Sequence, residues 1–404
     1  MTKIKVAFFI SARSEYGLLR WTLKEAIKSE FIEPVLYVGG GMLSTAYGMS
    51  INELMQEFSV DLLIRRVPYL IDTPEPTAIA KSLGIGIISL AQLFQEDKID
   101  LMVILGDRYD TIIPSTLSTL SNIPIMHICG GDVTEGAIDD QIRNSLTKLS
   151  HIHLVQTPEA AKIVSSLGEE DWRIVMAGAP GVENIRKLTL LPKKDLYELL
   201  SLSIDEPVLL CTYHPVTLES AFSTKDQIDE LICALKSFKE YQIVMTYPGV
   251  ESESNEIIER LREFEGSYDK IFLFDNLGSA KYLALMKYCQ CVVGNSSSGI
   301  IEAPSLKVPT LNIGTRQQGR VSSQSVIHCG YTSLEIINAL NNALSDKHVS
   351  ACKIFLNPYE LESELGFSQM VVQAILKMKD QKSRLLSKKL SFEVKTNEWN
   401  TFLN

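Results

Sequence analysis

Leu101-Met102-Val103-Ile104-Leu105-Gly106-Asp107-Arg108 is a five-residue apolar run that stops on a glycine and then releases an acid and a base. The run is too short for a helix and does not alternate with polar residues, so it reads as a strand covered on both faces. The same signature recurs upstream at Val6 to Ile10 and Pro34 to Val38, and downstream at Pro124 to Ile128, Ile152 to Gln156 and Ile174 to Ala177. Amphipathic segments lie between these runs, which implies a parallel sheet with helices on each side. The pattern restarts after a polar helix around Lys193 to Leu200 and the turn Asp205-Glu206-Pro207, with runs at Val208 to Thr212, Gln242 to Thr246, Ile271 to Phe274, Cys291 to Gly294 and Thr310 to Ile313. The expected architecture is α/β, with two Rossmann-like doubly wound domains facing a cleft. They are expected over residues 1–185 and 186–367, with a hinge near Ala179 to Pro192. Residues 368–404 form a C-terminal helix and tail, helical from about Ser368 to Leu390. Its basic end (Lys377, Lys379, Lys382, Arg384, Lys388 and Lys389) reads as a solvated face, with a partner contact as the alternative.

Composition narrows the function classes. A chain of 404 residues, 45% hydrophobic and 22% charged, buries a core large enough to need neither disulfides nor metals. A net charge of -10 argues against nucleic acid or an anionic membrane as partner, because phosphate binding draws on Lys and Arg. The seven cysteines are scattered, with only Cys289 and Cys291 close together, matching neither a disulfide framework nor paired zinc knuckles. Reduced thiols and a cytoplasmic location are expected. The basic start and the run Val6 to Ile10 lack a small-residue cleavage site before Ser11-Ala12-Arg13, so this is a first strand rather than a signal peptide. No apolar run approaches the roughly 20 residues that cross a bilayer.

The chemistry-bearing residues gather where strands end, which is where open α/β sheets bind ligands. After Leu105 come Asp107, Arg108 and Asp110; after Ile128 come Cys129-Gly130-Gly131-Asp132, then Glu135-Gly136 and Asp139-Asp140. Carboxylates crowded within a dozen residues push each other's pKa values apart and suit acid/base work. Helix capping is the plainer reading, and no EF-hand spacing is present. In the second half His214 follows a strand, and Gly294-Asn295-Ser296-Ser297-Ser298-Gly299 opens a helix with free N–H groups and hydroxyls suited to a phosphate. It is not a Walker A loop, and a plain Ser-rich N-cap is the alternative. Arg316 and Arg320 follow the last strand, and Arg is the preferred bidentate phosphate partner. Arg13, in the first strand-helix loop, is placed to approach across the cleft.

In this order the motifs resemble the hydrolysing UDP-N-acetylglucosamine 2-epimerases of bacterial sialic acid and legionaminic acid synthesis. The resemblance runs from Ser11-Ala12-Arg13-Ser14-Glu15-Tyr16-Gly17 through Gly106-Asp107-Arg108, Gly130-Gly131-Asp132, Ile138-Asp139-Asp140, Arg143 to His151, His214-Pro215-Val216-Thr217 and the Ser loop to Gly314-Thr315-Arg316-Gln317. It implies a GT-B-like fold, no nicotinamide and no metal. The implied reaction is anti-elimination of UDP to a glycal, then hydration to the free 2-epimer, of the N-acetylmannosamine type. By the same resemblance Asp107 and Asp139 are acid/base carboxylates, Arg108 touches the sugar, and Arg13 touches the diphosphate. His214, Ser296, Ser297, Ser298, Glu302 and Arg316 line the nucleotide side, and His214 joins the catalytic set. Some relatives carry Glu where this chain has Cys129, so Asp132 or Glu135 is expected to act there, or the position is dispensable; Cys129 itself reads as packing. The stretch Gly249-Val250-Glu251 lacks an Asn that some relatives have. The family's habit implies a homodimer or homotetramer. The rival readings are a non-hydrolysing 2-epimerase, a GT-B glycosyltransferase and a non-catalytic nucleotide-sugar sensor.

Overall fold

The computed structural model describes residues 3–391, except 46, 59, 72, 74, 75, 136, 217, 218, 220, 250–252 and 380. Gly136, Thr217, Val250, Glu251 and the tail beyond 391 therefore lie outside the described residues.

Among the described residues thirteen parallel strands form two sheets. The first contains β1 (Ile4–Ile10), β2 (Ile32–Gly39), β3 (Leu63–Val67), β4 (Leu101–Leu105), β5 (Ile125–Ile128), β6 (Ile152–Val155) and β7 (Ile174–Met176), in the order β3-β2-β1-β4-β5-β6-β7. The second contains β8 (Val208–Thr212), β9 (Gln242–Thr246), β10 (Ile271–Phe274), β11 (Cys291–Gly294), β12 (Thr310–Ile313) and β13 (Val326–Cys329), in the order β10-β9-β8-β11-β12-β13. The apolar runs are central strands because both of their faces carry helices: β4 and β8 are buried at all five positions. In the first sheet the strand order reverses between β1 and β4, in the second between β8 and β11. Loops on either side of a reversal part to opposite faces and open a crevice at the carboxyl edge. The loops after β1, β4, β8 and β11 hold Arg13, Asp107 and Arg108, His214, and the Ser loop respectively.

Two strands escaped the sequence reading. Leu63-Ile64-Arg65-Arg66-Val67 pairs on one side only, with β2, and its half-exposed edge accommodates two arginines. Arg65 pays for its place with a 2.5 Å bond to the buried Asp97. Val326–Cys329 is likewise an edge strand, paired with β12 and interrupted by His328. Edge strands lose the unbroken apolar signature because one backbone side faces away from the sheet.

Three further expectations are corrected. The helix Pro76–Asp97 does reach membrane-spanning length and apolarity over Thr77–Asp97. Its Leu90 and Phe94 are buried in the first domain, and the Phe94 ring stacks on Tyr37 at 5.8 Å, so it serves here as a layer over the sheet. The segment expected to hold the hinge contains a helix, Pro180–Lys187, whose Asn184 accepts from Trp21 Nε1 at 3.0 Å and donates to the Gly17 carbonyl at 3.0 Å, which leaves the hinge expectation untouched. The C-terminal segment is two helices, Phe367–Met378 and Lys382–Leu386, and it returns to the first domain. There Phe367, Val371, Ile375, Met378 and Leu385 share one core with β1, β2 and β4. Nor is its basic end all solvated. Lys388 bonds the carbonyls of Ser150 (2.6 Å) and Lys148 (2.9 Å) and the buried Glu169. Arg384 stacks on Trp172.

Candidate functional site

In the first domain one buried guanidinium organises the acidic loops. Arg143 lies on the helix Asp139–Leu149 and is 2% exposed. Its Nη2 donates to the Asp107 carboxylate. Its Nη1 donates to the Asp132 carbonyl at 2.6 Å and to Thr134 Oγ1 at 3.0 Å, and lies 3.4 Å from Asp140 Oδ1. The loops after β4 and β5 and the start of this helix are thereby gathered around one side chain. Asp139, half-buried, is the helix's first residue. Its neighbour Asp140 does structural work by accepting from Thr134 N at 3.0 Å. Asp132 is buried, and burial raises its pKa, while Arg320 and a 2.5 Å hydrogen bond from Gln156 Nε2 lower it. Arg108 turns toward a different set of groups. Its Nε lies 3.4 Å from the buried Asp110, which accepts from Tyr69 OH at 2.7 Å, and it exerts a Coulombic pull on the buried Glu15. Cys129 is buried at φ 64, and burial pushes its thiol pKa well above the ordinary value, so it packs rather than reacts.

In the second domain the strand ends present neutral donors and cations. Gly294, at φ 126, closes β11 where a Cβ would meet the Thr212 carbonyl oxygen at 2.0 Å, so no other residue fits. The next residue, Asn295, is fully buried. Its Oδ1 accepts from His214 N at 2.7 Å and its Nδ2 donates to the His214 carbonyl at 2.8 Å. Its own carbonyl accepts from Arg316 Nη1 at 3.2 Å and Gln317 Nε2 at 2.9 Å. Asn295 thus ties the His214, Ser and Arg316 loops together. Ser298 Oγ shares hydrogen bonds with Ser296 Oγ (3.1 Å) and Tyr282 OH (2.7 Å). The helix behind the Ser loop spans only Ser298–Ile301 before tightening to a 3-10 turn. Its dipole is therefore short, so this loop has hydroxyls and backbone N–H groups rather than a long helix to offer an anion.

A cavity of about 290 Å³ lies between the domains. Arg13 and Ser14 enter from the first domain, and Thr212, Tyr282, Ser296, Ser297, Ser298 and Glu302 from the second. Arg13 is held by a 2.5 Å ion pair with Glu53. Burial drives the Glu302 carboxyl up to about 8, and its Oε2 is buried without a hydrogen-bond partner in the protein. Such a carboxyl is suited to a ligand hydroxyl. Asp107, Asp132, Asp139, Arg108, His214 and Arg316 are not among the residues lining this cavity. The carboxylates gather instead where the loop 317–320 touches the loop 131–135, with Glu135 N donating to the Gln318 carbonyl at 3.3 Å. A second cavity, of about 190 Å³, sits at the amino ends of β1 and β4 beside Lys3, Asp100 and Lys379, away from all of these residues.

Sequence reasoning quoted Arg143, Asn295 and Arg320 without giving them roles, and it passed over Gln156 and Tyr282. A polar residue directly behind a strand-ending glycine, as Asn295 is, marks a loop anchor. No local pattern marks Arg143 as buried.

The description "UDP-N-acetylglucosamine 2-epimerase" matches residues 24–363. The chain is 35% identical over 336 residues to the GDP/UDP-N,N'-diacetylbacillosamine 2-epimerase (hydrolyzing) of Campylobacter jejuni, covering 83% of this chain and 86% of that one. It is 34% identical over 378 residues to the polysialic acid biosynthesis protein P7 of Escherichia coli, covering 93% and 95%. Among solved structures, the UDP-GlcNAc 2-epimerase from Neisseria meningitidis bound to UDP-GlcNAc superposes with a TM-score of 0.76 at 17% identity, covering 93% of this chain and all of that one. That likeness confirms the two-domain GT-B-like fold. A family match spanning most of the chain, with relatives above 30% identity along nearly their whole length, places this protein in the UDP-N-acetylglucosamine 2-epimerase family.

Proposed function

We propose that the protein is a hydrolysing 2-epimerase that converts a UDP-linked 2-acetamido sugar to its free 2-epimer and UDP, in sialic or legionaminic acid synthesis. The observation that carries this reading is a pair of clusters at the carboxyl ends of the two sheets, carboxylates gathered by Arg143 in one domain and hydroxyls with Arg316 in the other. The names of the Campylobacter jejuni and Legionella pneumophila relatives, both hydrolysing 2-epimerases, support it.

In this reading one carboxylate among Asp107, Asp132 and Asp139 removes the C2 proton. The C1–O bond breaks, its electron pair leaves with UDP, and a C1–C2 double bond remains. Water then adds, its hydroxyl to C1 and a proton to C2 from the opposite face. A proton beside an acetamide is weakly acidic, so its base works in contact with it. A departing diphosphate needs donors at the leaving oxygen, and Arg13, His214, Ser296, Ser297, Ser298 and Arg316 are the groups assigned there. Arg108 is assigned to the sugar and Glu302 to the ribose hydroxyls.

The test is incubation with UDP-N-acetylglucosamine, with UDP-2,4-diacetamido-2,4,6-trideoxyglucose and with its GDP counterpart, following free nucleotide and the free sugar. Release of UDP with a free 2-epimer is expected from one of the UDP donors. Interconversion of two UDP-sugars without release assigns the non-hydrolysing reaction instead, and no turnover of any donor removes the proposal. A homodimer or homotetramer is proposed as the working unit, supported by exposed Ile85, Ile88 and Leu120 on neighbouring helices. A monomer in sedimentation overturns it. The seven free cysteines support a cytoplasmic location.

A further inference from the structure

Arg320 belongs to the second domain, yet its side chain is only 6% exposed because it is inserted into the first. Its Nε donates to the Val133 carbonyl at 3.3 Å, and its Nη2 stands 3.6 Å from Asp132 Oδ2. The approach is enforced by shape. Gly319 sits at φ 80, where a Cβ would come within 2.5 Å of Val133 Cγ1 and 2.8 Å of Glu135 Oε1, so the turn carrying Arg320 lies directly on the loop carrying Asp132. Within its own domain Asp132 has the neutral Gln156 amide as its hydrogen-bonding partner, and Arg143 bonds only the Asp132 backbone carbonyl. Other ionisable groups around this place are Cys129, whose surroundings also include Glu302; Tyr359, whose OH bonds the Val321 carbonyl at 2.9 Å and whose surroundings include Arg143 and Glu159; and Glu135, whose carboxylate lies against Gly319.

We propose that Arg320 is a positioning residue for the reaction: it reaches across the cleft to seat the Asp132 carboxylate, so that a residue of the second domain completes this acid of the first. The inference rests on the assignment of Asp132 to the acid/base set. A carboxylate taken out of water without a cation protonates, and among the described residues the guanidinium paired with its side chain, that of Arg320, arrives from the other domain. Burial holds the Asp132 pKa above its ordinary value even with Arg320 in place, so losing that guanidinium while the site stays buried favours the protonated, idle acid further.

The test uses the full chain, with Arg320→Gln and Arg320→Lys assayed as UDP release from pH 5 to 9 on the donor that the wild type turns over. Arg320→Gln keeps a hydrogen-bond donor for Val133 but removes the charge. It should move the acid limb of kcat up by about one pH unit, with kcat falling about tenfold at pH 6 and KM changing less than about threefold. Arg320→Lys should return most of that shift, which a purely structural role would not do. In an Asp132→Asn background, Arg320→Gln should have no further effect on kcat. An acid limb left in place by Arg320→Gln, or a loss confined to KM, overturns the proposal. If Arg320→Gln does not fold, Arg320→Lys alone decides it: a kcat deficit at pH 6 that closes by pH 8 supports the role, and a deficit constant with pH overturns it. Full turnover by Asp132→Asn removes Asp132 itself and this proposal with it. Turnover abolished by Asp132→Asn, with an unmoved limb in Arg320→Gln, removes the cross-cleft role alone.

Discussion

The strand-end clusters of the two domains are built with opposite physical strategies. In the first domain charges are buried and interlocked: Asp107, the Asp132 loop and Asp140 all lean on one guanidinium that is itself 2% exposed. In the second domain the ends are built from hydroxyls, an amide and half-exposed cations, held by Asn295 through backbone bonds. Buried charges are costly unless paired, and they hold perturbed proton affinities, which suits proton transfer. Neutral donors keep their geometry whatever the pH, which suits holding an anion through the reaction. If the proposed assignments hold, proton chemistry and anion binding are separated by domain, and that separation can be broken experimentally.

The largest effect is expected from Arg143→Met. It leaves Asp107, the Asp132 carbonyl and Thr134 Oγ1 without their shared donor, and should cost about 3 kcal/mol of stability in denaturant unfolding together with nearly all turnover. A stable, active variant would mean that the first cluster does not depend on its central charge. Asp107→Asn sharpens the separation: turnover should fall by about 10³ while the UDP dissociation constant, read by calorimetry, stays within about threefold. Equal losses in both would erase the division of labour. The converse is Arg316→Ala, which should weaken UDP by about 1.5–3 kcal/mol, with stability nearly unchanged.

The smallest effect concerns Glu302, the one strongly shifted carboxyl on the nucleotide side. Its pKa of about 8 lies above the ordinary value of 4.5, so the folded protein holds a proton that the unfolded chain releases. Its contribution is fully present below about pH 4.5 and is lost as pH rises toward 8. Glu302→Gln should therefore gain on the wild type by on the order of 1 kcal/mol between pH 5 and pH 8, followed as the difference in thermal midpoint. Glu169 provides the opposite sign within the first domain. Burial raises its pKa, but hydrogen bonds from His153, Lys148 and Lys388 outweigh this and bring it to about 2, so its contribution is present above pH 4.5 and fades as pH falls toward 2. A Glu302→Gln difference that grew toward acid pH would show that the carboxyl is charged in the fold.

Legibility in the sequence followed burial. Central strands such as Leu101–Leu105 and Val208–Thr212 declare themselves, since burial on both faces admits only apolar residues. The edge strand Leu63–Val67 does not, because its exposed side tolerates Arg65 and Arg66. Among site residues, Asp107, His214 and the Ser loop were visible because each directly follows a strand. Arg143 and Gln156 were not singled out, since their roles arise from what lies beside them in space. The basic C-terminal run looked like a solvated face because charge runs usually are; Lys388 departs from this only through carbonyls and a carboxylate more than 200 positions away along the chain.

The sequence by itself determined the two parallel sheets, the order of their strand-end motifs and the net charge of -10. These follow from local rules: apolar runs bury, and glycine with polar residues ends them. Only the tertiary structure decided which strand ends adjoin, because the reversal of strand order between β1 and β4 and between β8 and β11 is a matter of long-range pairing. It alone brought Arg320 from one domain against Asp132 in the other, 188 positions earlier in the chain, where the loss of water makes each charge depend on its partner.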